Sequence, residues 1–122
     1  MYDKNNDSKI NRLKFENILW LIFAIISIMN IYGDNDEIEY LETNDKSYEK
    51  KSNEIFKFTL MVTLFIYIYF FLRNLKAYEN ATVEEKNLYL IKLLGSSLLI
   101  AGVLCLIYFQ ENETSFVGSP AL

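Results

Sequence analysis

Charged residues disappear from three stretches of the chain, 18–32, 58–72 and 93–109, which run for 15, 15 and 17 residues. A helix on the surface of a water-soluble core carries a polar residue every three or four positions, and these stretches do not. A bilayer with a hydrocarbon thickness of roughly 30 Å takes about 20 predominantly apolar residues, within a range of about 17–25. Phe15 and Asn17 bring the first stretch into range, 55–57 the second and 88–92 the third. Glu16, Lys57 and Lys92 then fall near helix ends, where long side chains reach the headgroups. The pattern predicts an all-α membrane protein whose three transmembrane helices, at about 15–32, 55–73 and 88–109, form a small bundle within a domain at 15–110. A soluble three-helix bundle would leave Leu, Ile and Phe all around each helix in water.

The first stretch also has the outline of a secretion signal, with Lys4, Lys9, Arg12 and Lys14 ahead of an apolar run. The residues that follow, NIYGDND, offer no small-x-small cleavage site, so the reading is a retained anchor. Lysine and arginine near the membrane set orientation. The basic tail 1–14, the second connection and the start of the third helix carry Lys4, Lys9, Arg12, Lys14, Arg73, Lys76, Lys86 and Lys92. The other side has Lys46, Lys50, Lys51 and Lys57. The expectation is a multi-pass protein of the cell membrane with a cytoplasmic amino terminus and the carboxyl terminus outside. Thr82 and Glu85 have the spacing of a capping box. It would start the third helix near Val83 and carry it to about Gln110, beyond the lipid on the inner side. The tail 111–122, with Gly118, Ser119 and Pro120, reads as a flexible outer segment.

Between the first two spans lies an expected outer loop, 33–54, with eight acidic residues against three lysines and a net charge of −5. Counted as a calcium-binding EF-hand from Asp34, it puts Ile38 at position 5 and Glu39 where glycine is needed, so the motif fails. A looser cation site at Asp34, Asp36 and Glu37 is the sharper reading. A docking surface for a cationic partner, built from Asp34, Asp36, Glu37, Glu39, Glu42 and Asp45, is another. A solvated connection is the plain one, and it leads.

Small and polar residues mark one side of each span. At 100° per residue, Asn17, Ala24, Ser27 and Asn30 share an arc of about 140° on the first helix. Thr59, Thr63, Tyr67 and Asn74 form a stripe on the second. Gly95, Ser97, Ala101, Gly102 and Cys105 share half of the third, with Leu99, Ile100, Val103, Leu106 and Ile107 assigned to lipid. Lipid tails are as apolar as leucine, so contact between spans comes from close backbone approach and from hydrogen bonds of Ser, Thr and Asn. The expected packing residues are Ala24, Ser27, Thr59, Thr63, Gly95, Ser97, Ala101, Gly102 and Cys105. They pack the three helices of one chain, or one stripe, Ser97 with Ala101 and Cys105, meets another subunit. Tyr67, Tyr69, Arg73, Trp20 and Tyr108 read as interfacial aromatics and their cationic neighbour.

The chemistry on offer is sparse. The chain has no histidine and one cysteine, and its net charge is −4. No His base, His-ligated metal, intrachain disulfide or phosphate-binding glycine loop is available, and the lysines are too scattered for nucleic acid. Cys105 reads as a packing residue. Abundant Lys, Asn, Ile, Tyr and Phe suit the AT-rich codons of a low-GC bacterium. With no Asp, Glu or Arg in the uncharged cores of the spans, and Glu16, Lys57 and Lys92 at their ends, coupled transport is disfavoured. The expectation is a non-enzymatic protein without cofactor or metal that acts by helix–helix association, as an accessory, regulatory or immunity-type protein. Its partners are the lipid bilayer and either itself or a larger membrane protein. The alternative is an oligomeric pore or holin-like permeabilising protein.

Overall fold

The computed structural model describes residues 4–113 and 117–119 and is built of three helices: α1 (Lys4–Thr43), α2 (Lys46–Asn80) and α3 (Lys86–Asn112). All three are long and apolar enough to cross a membrane. At 1.5 Å per residue their 40, 35 and 27 residues span about 60, 52 and 40 Å, so each outruns the hydrocarbon layer.

The segment 33–54, expected as a loop, is almost wholly helical. Only Asn44 and Asp45 break it. Asn44 takes the left-handed conformation (φ 59°), which asparagine tolerates, and its amide donates to the Tyr40 carbonyl at 2.7 Å. Asp45 then caps α2, accepting from the Ser47 amide at 3.0 Å. High charge had signalled solvation, but Asp, Glu and Lys do not themselves break a helix; the helix stops where a left-handed residue and a cap coincide. The amino-terminal residues are likewise helical from Lys4.

At the other end the capping box does not form. The Glu85 and Lys86 amides both donate to the Thr82 carbonyl at 3.0 Å, and Glu85 at the N-cap makes no side-chain bond. The amide that the box needs is already satisfied by that turn. Helix α3 therefore starts at Lys86 and ends at Asn112, a few residues later at both ends than expected. Lys86 lies 4.6 Å from the centre of the Tyr78 ring, which ties the connection together.

Helix α2 is central. α1 and α3 each pack along it antiparallel and do not pack on each other. On α1 the buried positions Leu19, Ile26 and Gly33 recur every seven residues. Glu16, Phe23, Asn30 and Glu37 recur at the same interval, and all four meet α2. On α3 the buried positions are Ser96, Val103 and Gln110, again seven apart. This is the seam of an antiparallel coiled coil, in which a 3.5-residue repeat keeps one stripe against its neighbour. The closest approach of α1 and α2 is at Gly33: a Cβ there would lie 2.5 Å from Cε1 of Phe56, whose ring is fully buried.

Candidate functional site

Polar side chains punctuate both seams, and each finds a partner on the facing helix. Near the ends of α1 and α2 that the basic residues favour, Glu16 is only 5% exposed, and its carboxylate accepts from Arg73 Nη1 at 2.9 Å and from the Tyr69 hydroxyl at 3.2 Å. Arg12, one turn before it, approaches at 3.4 Å. Arg73 also donates to Asn74 Oδ1, at 3.0 Å from Nη2 and 3.3 Å from Nε. Asn74 in turn donates to the Ser96 hydroxyl of α3. One continuous network, from Glu16 through Arg73 and Asn74 to Ser96, therefore joins all three helices. Glu16 was expected to snorkel at a helix end. It turns inward instead, because α2 presents Arg73 and Tyr69 at its level.

Further along, the Thr59 hydroxyl donates to Asn30 Oδ1 at 2.8 Å. Beyond that, Glu37 is 8% exposed, accepting from the Ser52 hydroxyl at 3.4 Å and from the Gly118 amide at 2.6 Å. Burial pushes the Glu37 carboxyl above its ordinary range, with Asp34 and Glu49 adding to the rise, while the bonds from Gly118 and Ser52 oppose it. Gln110 of α3 donates to Asn53 of α2 at a similar level. Neither the inward turn of Glu16 and Glu37 nor the pairing of Asn74 with Ser96 was expected from the sequence. The signal lay in the seven-residue recurrence of positions 16, 23, 30 and 37 and of 96, 103 and 110.

The acidic residues expected to dock a partner are distributed around a helix. Asp34 and Glu42 are exposed, Asp36 and Glu39 half-buried, Glu37 faces α2, and Asp45 serves as a cap. The Ser47 amide holds the Asp45 carboxyl below its usual range. At 100° per residue these positions point in different directions, so they share no single acidic face. Among the described residues, no three His, Cys, Asp or Glu side chains are grouped to hold a metal ion.

The expected packing residues divide. Thr59 is buried in the α1–α2 seam and Thr63 is half-buried, its hydroxyl returning to the Thr59 carbonyl at 2.8 Å. Ala24 is exposed, and Ser27, also exposed, bonds its own helix at the Phe23 carbonyl. On α3 the assignment of faces is reversed. Val103 is 5% exposed and faces α2, with Ile100, Leu106 and Ile107 half-buried beside it. Gly95, Ala101, Gly102 and Cys105 are exposed, and Ser97, half-buried, bonds the Leu93 carbonyl at 3.0 Å. A Cβ added to Gly95 or Gly102 would meet nothing within 4 Å. The reason is the pairing of Asn74 with Ser96 and of Asn53 with Gln110, which rotates α3 so that its branched residues meet α2.

Because α1 and α3 flank α2 without close backbone approach to each other, a groove of about 410 Å³ opens between them. Phe23, Asn30, Leu60, Tyr67, Val103 and Leu106 line it, and Ser119 of the tail sits at its edge. Trp20 meets Phe70 and Phe23 meets Tyr67 in tilted pairs, and Phe15 meets Tyr69 edge to face, across the α1–α2 seam. The aromatic stretch of α2, expected as interfacial, thus packs against α1. No protein-family model, curated protein or solved structure matches this chain.

Proposed function

We propose that this chain is a small, non-enzymatic integral membrane protein that acts by helix–helix association, in an accessory, regulatory or immunity-type role. Its amino terminus lies in the cytoplasm and its carboxyl terminus outside, as the distribution of lysine and arginine favours. The observation that carries the reading is the open small-residue face of α3. Only 6% of the most apolar stretch of α3 is buried, and the residues that permit close backbone approach are the ones turned away from α2. In a bilayer such residues favour contact with another helix, since no hydrophobic drive holds leucine faces together. A second copy or a larger membrane protein is the partner.

Ala101→Leu and Gly102→Leu add bulk to that face without touching the α2 seam. Overpacking an interface costs about 1–3 kcal/mol, which shifts an association equilibrium by roughly fivefold to a hundredfold. Both variants are expected to lose partner co-purification in mild detergent while accumulating normally in the membrane. Leu104→Ile, a volume-conserving change at an exposed position one turn from Ala101, is the control and should keep it. A monomer with no reproducible partner in several detergents would count against association. Depolarised cells and conducting bilayers would replace it with the pore reading.

A further inference from the structure

We propose that the groove between α1 and α3 holds one acyl chain of a phospholipid, from the leaflet at the α1–α2 turn, with the lipid ester carbonyl accepting from the Asn30 amide. The inference rests on the helices spanning a bilayer and is independent of the association role.

Size sets the first limit. The groove's 410 Å³ falls within the roughly 300–1,000 Å³ of small-molecule sites. A three-turn helix about 10 Å across and 16 Å long displaces on the order of 1,200 Å³, so a further helix does not fit inside it. From Phe23 to Asn30 the α1 wall runs seven residues, about 10.5 Å along the axis, which is a chain-shaped space.

Chemistry sets the second. Along the walls, the Ser27 and Thr63 hydroxyls are spent on the carbonyls of Phe23 and Thr59. Two groups differ: the Asn30 oxygen accepts from Thr59 while its amide nitrogen donates to no described residue, and the Tyr67 hydroxyl, at the Phe23 end, is likewise without a hydrogen bond among the described residues. The Asn30 amide is not enclosed by the protein, so in a bilayer it is the occupant of the groove that must offer it an acceptor. The occupant must therefore bring a hydrogen-bond acceptor to the Asn30 end and apolar surface to Leu60, Val103 and Leu106. Asn30 stands two residues inside the uncharged stretch 18–32, close to the edge of the hydrocarbon, where an ester group is found. The tail covers that end: the Gly118 amide is held by Glu37 and Ser119 borders the groove. An acyl chain with its ester carbonyl meets both requirements at the required depth.

The test uses the full chain in liposomes of phosphatidylcholine bearing a photoreactive diazirine on one acyl chain, with cross-linked peptides located by mass spectrometry. Labelling is expected to concentrate on residues 23–30, 60–67 and 103–106, above that of the open face of α3. Asn30→Leu should reduce it roughly five- to tenfold, the equivalent of one lost hydrogen bond. Ser27→Trp, an exposed site at the groove wall, should reduce it by filling the space, and Leu104→Trp, outside the groove, should not. Even labelling of all lipid-facing surfaces, or an unchanged Asn30→Leu, would mean surrounding bulk lipid only and overturn the site. Cross-links from the groove to a second copy, made with a bifunctional reagent in the same liposomes, would overturn it as well. Carbonate extraction of the same liposomes separates the two readings: an extracted protein refutes the spanning helices, whereas an embedded protein with even labelling refutes only the lipid site.

Discussion

Gly33 and Gly95 are the same residue in opposite circumstances. At Gly33 a methyl group would collide with the buried Phe56 ring, and the ring has no room to retreat because it is fully enclosed. Gly33→Ala is therefore expected to destabilise the α1–α2 pair by about 1–3 kcal/mol, seen as a lower unfolding temperature in detergent. Gly95→Ala meets open space and gains helix propensity, worth up to about 1 kcal/mol, so its unfolding temperature should stay or rise. Glu37 carries the pH dependence at this scale. Its carboxyl titrates above the ordinary value in the folded protein, so the folded state binds the proton more tightly than the unfolded one. Its favourable share of stability is present below the ordinary carboxylate range and is lost as pH rises through the elevated folded value. Glu37→Gln should flatten that decline in unfolding temperature measured across the window, while still offering Ser52 and Gly118 a partner.

At the scale of the helix, three helices long and apolar enough to cross a membrane were legible from charge alone, but their rotation was not. A stripe of small residues reads as a packing face, and on α3 it is the face left open; the polar residues Ser96 and Gln110 decide the rotation instead, by meeting Asn74 and Asn53. Helix ends were hidden for a related reason. The acidic run after Tyr32 looks like a connection, yet it continues α1 for eleven residues because nothing in it ends a helix before Asn44. The network at Glu16 makes a prediction of its own. Removing one partner of a buried ion pair costs about 3–5 kcal/mol, less here because Arg73 keeps 24% of its side chain exposed and can reach the headgroups. Glu16→Leu should lower the unfolding temperature more than the double variant Glu16→Leu with Arg73→Leu, which leaves only the exposed Arg12 without its carboxylate. Equal losses would show that the pair contributes packing and not charge compensation.

The whole molecule is a layer in which α2 joins two helices that do not meet, with a short connection at each end, and its orientation fixes which surfaces face which compartment. Ser47 and Asn80 report the two ends. Ser47 is exposed in the first turn of α2, where its amide is the main donor to the Asp45 cap and is kept when cysteine replaces serine. Asn80 is exposed at the last position of α2, next to the other connection. At 1.5 Å per residue the two sites lie about 50 Å apart along α2, more than the hydrocarbon thickness of roughly 30 Å, so they emerge on opposite sides if α2 spans the bilayer. In a Cys105→Ala background, Ser47→Cys should react with an impermeant thiol reagent on intact cells, and Asn80→Cys only after permeabilisation. The reverse pattern would invert the orientation expected from lysine and arginine, placing the Glu16 network on the outer side and the tail held by Glu37 on the inner. Labelling of both sites on intact cells would mean that α2 does not cross, and would remove the bilayer-spanning arrangement on which the open face of α3 and the groove beside Asn30 acquire their roles.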